Sequence, residues 1–265
     1  MSVFDELASL FDEKADATDD IGLNEGTYQR RVVVIVIDVS GSMGYAENGK
    51  RPIDDLNSSI ESWLPEVRSQ GKGPLRGVEF AVVTFGGDGV RTVTGDLRCP
   101  PDRLHADGGA FVPAGELEIA PLTATGTTPM VAALEFALNL GDQRVQYLAG
   151  QGLQTGQVRM ILFSDGGPND DNLPAGAWRS TADLIRTRRK QRRLLFLAFG
   201  APGADEHVLR ELAPEKGYFP LSALDFNELL NLVLVATSAD DPYAAVWEQA
   251  RWGTDGQPSG ESGAE

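Results

Sequence analysis

Residues that bind soft metals or form covalent cross-links are almost absent from the sequence. Cys99 is its only cysteine, and His105 and His207 are its only histidines. One thiol cannot form a disulfide framework or a thiolate zinc site, and two histidines that lie far apart in sequence argue against zinc chemistry. We therefore expect a protein of a reducing compartment that has no disulfide framework.

Basic residues and long apolar runs are scarce as well. Lysine and arginine total 23 against 39 aspartates and glutamates, which gives a formal net charge of −16. Non-specific nucleic-acid binding needs a cationic surface, so we expect no nucleic-acid partner. No apolar run approaches the ~20 residues of a transmembrane helix, and no basic start followed by an apolar core indicates a signal peptide. These absences favour a cytoplasmic protein without a membrane partner.

Composition divides the chain into three predicted parts. Residues 1–27 form an acidic N-terminal leader, residues 28–238 form a single domain, and residues 239–265 form a C-terminal tail. The end of the tail is rich in Gly, Ser, Pro and Glu, so we expect the tail to be partly disordered. A length of 265 residues suits one large α/β domain with tails.

The acidic leader has two interpretations. Its apolar residues Phe4, Leu7, Leu10 and Phe11 recur at helical spacing, and its one basic residue is Lys14. Its acidic residues are Asp5, Glu6, Asp12, Glu13, Asp16, Asp19, Asp20 and Glu25. The leader is either a solvated tail with a nascent helix or a short amphipathic helix that docks on a partner or back on the domain.

Apolar runs and helical periodicity predict alternating strands and helices. The predicted strands are 31–37, 78–85, 90–94, 158–163, 193–199 and 217–221. The predicted helices are 53–68, 130–140, 178–190, 204–212 and 225–237. The sequence Gly86-Gly87-Asp88-Gly89 predicts an antiparallel hairpin at one sheet edge, and residues 95–121 are predicted as loop. Apolar strands that alternate with amphipathic helices predict an α/β fold with a mostly parallel sheet and helices on both faces.

A polar loop follows the first predicted strand. The β-branched run at 32–37 ends at Asp38, and Ser40 and Ser42 follow on either side of Gly41. In open α/β sheets, ligands bind outside the carboxyl ends of the strands. One carboxylate and two hydroxyls at that place are the oxygen ligands that suit Mg²⁺ or Mn²⁺.

Two later segments carry matching residues. The strand at 158–163 is followed by Ser164-Asp165-Gly166, and Gly126-Thr127-Thr128 precedes a predicted helix. If this strand is the neighbour of the first one, Asp38 and Asp165 converge at one sheet edge, where Thr128 can close over them. Each piece alone is also typical of a turn or a helix cap. Their conjunction predicts a metal site, whose residues are Asp38, Ser40, Ser42, Thr128 and Asp165.

These motifs resemble the metal-ion-dependent adhesion site (MIDAS) of von Willebrand factor A (VWA) domains. The resemblance rests on Asp38-Val-Ser40-Gly-Ser42, Gly126-Thr-Thr128 and Ser164-Asp165-Gly166, and spans about residues 30–237. It implies a doubly wound, Rossmann-like sheet, direct metal ligation by the two serines and Thr128, and a supporting role for the two aspartates. A shell of neutral ligands leaves the ion electrophilic. We therefore predict a non-enzymatic module in which an Asp or Glu of a protein partner completes the shell of Mg²⁺, or of Mn²⁺ or Ca²⁺.

Within that family, the chain is similar to the TerY-type group of bacterial tellurium-resistance and stress operons. The similarity rests on Met43-Gly44, Thr84-Phe85 and Phe163-Ser-Asp-Gly-Gly-Pro168-Asn-Asp170. It implies a bacterial stress-response or signalling complex. The acidic leader and the 95–121 loop depart from a minimal domain of this group.

Alternative functions can be judged by whether the residues that each one requires are present. Residues 44–50 fit the first seven positions of a P-loop, but Arg51 stands at the eighth position, where a Ser or Thr is required. We therefore expect no nucleotide binding. An aspartyl phosphatase needs an acid two residues after its nucleophile, where Ser40 cannot act as a general acid. A metal-dependent phosphohydrolase and a structural subunit with a vestigial metal site remain alternatives. The basic cluster at 186–193 is either a solvated helix end or a contact surface for an acidic partner or the leader.

Overall fold

The computed structural model describes residues 29–46, 49–87, 89–169, 173–174, 176–201, 203–213, 216–221 and 225–254, with side chains up to residue 249. The acidic leader and the end of the predicted tail lie outside the described residues. The strands are β1 (Arg31–Asp38), β2 (Val78–Gly86), β3 (Gly89–Thr92), β4 (Val112–Pro113), β5 (Val158–Ser164), β6 (Leu194–Gly200) and β7 (Tyr218–Pro220). The helices are α1 (Pro52–Gln70), α2 (Met130–Gly150), α3 (Trp178–Lys190), α4 (Glu206–Leu212), α5 (Phe226–Ser238) and α6 (Pro242–Thr254).

The strands form one sheet in the order β3-β2-β1-β5-β6-β7. The five strands from β2 to β7 in that order run parallel, whereas β3 pairs antiparallel with β2 at the edge. The short β4 also pairs antiparallel with β2. β2 and β3 follow β1 on one side of the sheet, and β6 and β7 follow β5 on the other side. The strand order therefore reverses between β1 and β5, which is the topological switch point. The mostly parallel sheet and the antiparallel edge hairpin confirm the predicted fold class.

β1 lies at the centre of the sheet and is buried on both faces. Val33, Ile35 and Ile37 belong to one hydrophobic core, and Val32 and Val34 belong to the other. Successive side chains of a strand point to opposite faces. A strand covered on both sides therefore needs a continuous apolar run, which is the pattern that made β1 recognisable in the sequence.

Helices cover both faces of the sheet. One layer contains α1 and α5, whose Leu56 and Leu230 lie in the first core, with α6 packed against α5. The other layer contains α2, α3 and α4, whose Leu134, Ile185 and Leu209 lie in the second core. This arrangement confirms the Rossmann-like class with helices on both faces. None of the helices in the described ranges is long and apolar enough to cross a membrane.

The segment 95–121, predicted as loop, is mostly irregular but well packed. It contains two 3₁₀ turns, at Pro101–Arg103 and Ala114–Glu116, and the two-residue strand β4. Leu104, Phe111 and Leu117 are buried. These apolar side chains anchor the segment to the domain although it has little regular structure.

A helix, α6, occupies part of the segment that the sequence analysis assigned to the C-terminal tail. It begins at Pro242, a favoured first position, and Asp241 Oδ1 accepts a hydrogen bond from a backbone N–H of the first turn. Trp247 packs on Phe219 with ring centroids 4.9 Å apart, and its Nε1 donates to Lys216 O at 2.9 Å. The Asp-Pro pair was a helix-start signal that the sequence analysis did not use.

Candidate metal centre

The predicted site residues lie around the carboxyl edge of the sheet, at the switch point between β1 and β5. β1 and β5 are neighbours, with Ile37 opposite Phe163. Asp38 and Asp165, which follow those two residues closely, are therefore at the same edge, as the sequence argument required. Open α/β sheets bind their ligands at such a point.

Asp38, the last residue of β1, is a fully buried carboxylate. Its Oδ1 accepts a hydrogen bond from Ser40 N at 2.9 Å, and its Oδ2 accepts one from the Ser164 hydroxyl at 2.8 Å. Burial raises the pKa of Asp38 to about 6, the hydrogen bonds oppose that rise, and the charge of Asp165 adds to it. No lysine or arginine of the described residues lowers this pKa. Within the described part of the chain, Asp38 is therefore a buried carboxylate without a neutralising cation.

Ser40 and Ser42 bring their hydroxyls together beside Asp38. Their Oγ atoms are 3.1 Å apart. Ser40 is buried and Ser42 is exposed, and the 3₁₀ turn between Gly41 and Gly44 holds them, with the side chain of Met43 buried. Two neutral oxygen donors thus extend from the interior to the surface at this edge.

The loop before α2 is fastened to the loops that follow β1 and β5. Gly41 N donates to Gly126 O at 3.0 Å, and Asn169 N donates to Thr128 O at 2.9 Å. Thr128 is half-buried and Thr127 is exposed. These backbone contacts hold Thr128 between the two loops that carry the other predicted ligands.

Gly126 permits a close approach between the loop before α2 and the loop after β2. Its φ is +66°, and a Cβ atom at this position would lie 2.2 Å from Gly87 Cα. Only glycine combines this backbone conformation with this contact. Gly126 belongs to a motif recognised in the sequence, whereas Gly87 was predicted only as a residue of the hairpin.

Asp165 has a buried oxygen without a partner. Among the residues that the structure describes, no group forms a hydrogen bond with its Oδ1. Buried polar atoms in folded proteins nearly always have a partner, and leaving one unpaired costs about 1–3 kcal/mol. The unpaired oxygen lies in the loop that follows β5, next to the strand that ends at Asp38.

The donor set fits a hard divalent cation. Ser40, Ser42 and Thr128 offer hydroxyl oxygens, and Asp38 and Asp165 offer carboxylates, which are the ligands that Mg²⁺, Mn²⁺ and Ca²⁺ take. Within the described part of the chain, no three His, Cys, Asp or Glu side chains lie together, so the hydroxyls are needed to complete a ligand set. A bound cation would supply the missing partner of Asp165 Oδ1 and offset the buried charge of Asp38.

Ser164 is a residue of this edge to which the sequence analysis gave no role. It is fully buried, donates to Asp38 Oδ2 and accepts a hydrogen bond from Gly166 N at 3.2 Å. It therefore orients the carboxylate of Asp38 and the turn that contains Asp165. Its position at the end of a predicted strand, directly before Asp165, was the available signal.

Comparisons with known proteins concern the fold. No protein-family model matches the chain, and no similar curated protein is found. The PilB minor pilin of Streptococcus sanguinis has 11% identity and a TM-score of 0.51, covering 87% of this chain and 65% of that chain. The pilus adhesin SpaC of Lactobacillus rhamnosus GG has 14% identity and a TM-score of 0.50, covering 85% and 30%. Proximal thread matrix protein 1 of the mussel byssus, with zinc in its MIDAS motif, has 21% identity and a TM-score of 0.45, covering 77% and 46%.

The chain spans less than half the length of the mussel protein and of the pilus adhesin. At such identities, the similarity to the pilin and the adhesin extends to the fold alone. Together with the strand order and the two helical layers, it supports a Rossmann-like fold.

Proposed function

We propose that the chain is a protein-interaction module that binds an acidic residue of a partner through a divalent cation. Ser40, Ser42 and Thr128 would hold the ion, and Asp38 and Asp165 would fix its charge and its waters. The observation that carries the proposal is the buried, unpartnered Oδ1 of Asp165 near the buried carboxylate of Asp38. Mg²⁺ is the proposed ion, with Mn²⁺ and Ca²⁺ as alternatives.

The donor set favours binding over catalysis. Hydroxyl ligands do not cancel the charge of a cation, so an open coordination position attracts a carboxylate from another protein. Ser40 stands where an aspartyl phosphatase needs its second acid, and a hydroxyl is a poor general acid at neutral pH. We therefore propose a non-enzymatic role for the site.

The biological setting is proposed from the sequence motifs. The similarity of the Met43-Gly44, Thr84-Phe85 and 163–170 segments to the TerY-type group supports a bacterial, cytoplasmic stress-response or signalling complex. The partner in that complex would present an Asp or Glu at an exposed position.

Metal titration of the full chain tests the site. Calorimetry should detect one Mg²⁺ or Mn²⁺ site in the wild type and none in Asp38→Ala, because the variant removes a carboxylate of the donor set. Asp102→Ala, which removes an exposed carboxylate of the 95–121 loop, is the matched control and should bind the ion normally. An unchanged Mg²⁺ affinity in Asp38→Ala would disprove the site.

A peptide array tests the partner chemistry. Peptides with an exposed Asp or Glu should be captured with Mg²⁺ and released by chelator, and the same peptides with Asn or Gln should not bind. Capture that survives the chelator would favour a structural subunit with a vestigial site. Sustained turnover of a phosphoester that is lost in Asp38→Asn would favour the phosphohydrolase.

A further inference from the structure

A groove of about 370 Å³ opens at the opposite, amino edge of the sheet. We call it the amino-end groove and define it by six residues of its lining: Asp142, Gln146, Thr155, Gly156, Arg192 and Arg193. It lies between α2 and the segments that lead into β5 and β6. None of the predicted metal ligands lines it.

One side of the groove rim is basic, where Arg192 and Arg193 of the lining end a cluster of cations, and Asp142 lies opposite them. Residues 186–193 contain five arginines, a lysine and no acidic residue. Arg188 and Arg193 share Asp142, at 2.8 and 3.1 Å. Lys190 and Arg192 are exposed, and neither forms an ion pair within the described ranges. Arg192 of the groove lining and Lys190, two residues before it in sequence, are therefore available to an acidic ligand.

Arg192 keeps its side chain at the rim in an unfavourable backbone conformation. Its φ is 56°, the one positive value of a non-glycine residue in the described part of the chain. This left-handed conformation costs roughly 1 kcal/mol for residues with a Cβ atom, and glycine adopts it freely. Replacing Arg192 by glycine therefore removes the charge and preserves the backbone geometry.

The acidic leader joins the domain at the same groove. Arg30 N donates to Gln154 O at 2.8 Å, and Gly156 N donates to Arg30 O at 3.2 Å. A Cβ atom on Gly156 would lie 3.4 Å from Gln29 Nε2, so the first described residue touches the groove lining. Glu25 lies four residues before Gln29 in sequence. An extended chain of that length reaches about 14 Å, so Glu25 can lie within about 14 Å of Gln29.

We propose that the acidic leader, residues 1–27, docks in the amino-end groove of its own chain, with its carboxylates beside Lys190 and Arg192. The leader has eight acidic residues and one basic residue, which complements the basic side of the rim. A short tether gives an effective concentration of the order of millimolar. Exposed charge pairs that are individually weak therefore suffice to hold the leader in place.

Carbodiimide coupling tests the docking, because it joins a carboxylate to a lysine amine only when the two groups touch. In the full chain, Lys190 should couple to leader carboxylates, whereas Lys72 and Lys216, which are also exposed, should couple far less. High salt should reduce the Lys190 product, since exposed charges are screened within about 10 Å at 0.1 M salt. A mixture of ¹⁵N-labelled and unlabelled chains separates coupling within a chain from coupling between chains.

Two variants separate charge from structure. Arg192→Gly should lower the yield of the cross-link between Lys190 and the leader about two- to fivefold. Arg192→Lys should give the same yield as the wild type. Arg98→Gly, which removes an exposed charge from the 95–121 loop, is the matched control and should leave it unchanged. Equal coupling at Lys72, insensitivity to salt or to Arg192→Gly, or products only between chains would each overturn the proposal, the last in favour of a second copy as occupant.

Discussion

The two edges of the sheet treat buried charge in opposite ways. At the carboxyl edge, and among the described residues, Asp38 is buried without a neutralising cation, and Asp165 has an oxygen without a partner. At the amino edge, Arg31, Arg144 and Arg159 are largely buried, and all three donate hydrogen bonds to oxygens of the same chain. These three arginines have partners within the fold, whereas among the described residues Asp38 has no neutralising cation and Asp165 Oδ1 has no partner at all. The first arrangement stabilises the domain, and the second is suited to a ligand.

Arg144 shows how complete the contacts of the amino edge are. It is 3% exposed. Its Nε and Nη2 donate to Glu79 Oε2 at 2.8 and 2.7 Å, and its Nη1 donates to Asp107 Oδ1 at 2.9 Å. Its guanidinium also lies 5.4 Å from the ring centroids of Phe111 and Tyr147. Arg144 thereby ties α2, β2 and the 95–121 segment together.

The largest expected effect follows from breaking this buried pair. Arg144→Ala should lower the free energy of unfolding by about 3 kcal/mol, because the buried Glu79 loses its closest cation and keeps only the partly exposed Arg30, 3.4 Å away. Urea unfolding at neutral pH measures the loss. The double variant Arg144→Met with Glu79→Gln removes both charges and should recover most of it. A loss below about 1 kcal/mol, the value of an exposed pair, would mean that the two edges do not differ as described.

The second largest effect is expected when Mg²⁺ supplies the missing partner at the carboxyl edge. Mg²⁺ at about 100 times its Kd should raise the free energy of unfolding by about 2.7 kcal/mol. The gain should disappear in Thr128→Ala, which removes a proposed ligand, and should persist in the Arg144→Met, Glu79→Gln variant. Urea unfolding with Mg²⁺ and with chelator measures it. Stabilisation of Thr128→Ala equal to that of the wild type would remove Thr128 from the site.

The third effect concerns the backbone contact that positions Thr128. Gly126→Ala should cost about 1–3 kcal/mol and weaken Mg²⁺ binding, because its Cβ would clash with Gly87. Gly108→Ala is the matched control, since Gly108 has a φ of +75° with nothing within 4 Å of its Cβ position. Thermal unfolding and calorimetry of both variants separate the backbone cost from the clash. Equal losses of stability and unchanged Mg²⁺ binding would show that the close approach does not shape the site.

The sequence was informative where the structure depends on local pattern. The apolar run of β1 and the glycines of the hairpin each determine a strand through residues that are adjacent in the chain, so the fold class could be predicted, whereas the pairing of β1 with β5 entered the prediction of the site only as a condition. The assignment of the five metal ligands stays a prediction that the titrations above address.

Contacts between distant segments could not be predicted in the same way. Glu79 lies in an otherwise apolar strand and meets Arg144 only when α2 packs on the sheet. Ser164 and Asp38 are separated by 126 residues, and their hydrogen bond exists because β1 and β5 pair in one register. No local pattern specifies such pairings. They require the three-dimensional arrangement that the strand order provides.

The smallest effect is expected for Arg159, whose substitution tests whether the two edges are independent. Arg159, on β5, donates to Ala236 O, Thr237 O and Ala239 O at 2.8, 2.7 and 3.0 Å, at the negative end of α5. Arg159→Met should lower the free energy of unfolding by about 1 kcal/mol, and Arg159→Lys should lose less because it keeps the charge. Neither variant should change Mg²⁺ affinity in calorimetry, because β5 separates residue 159 from Asp165 by its full length. A weaker Mg²⁺ affinity in Arg159→Met alone would mean that the contacts of the amino edge also set the geometry of the metal site.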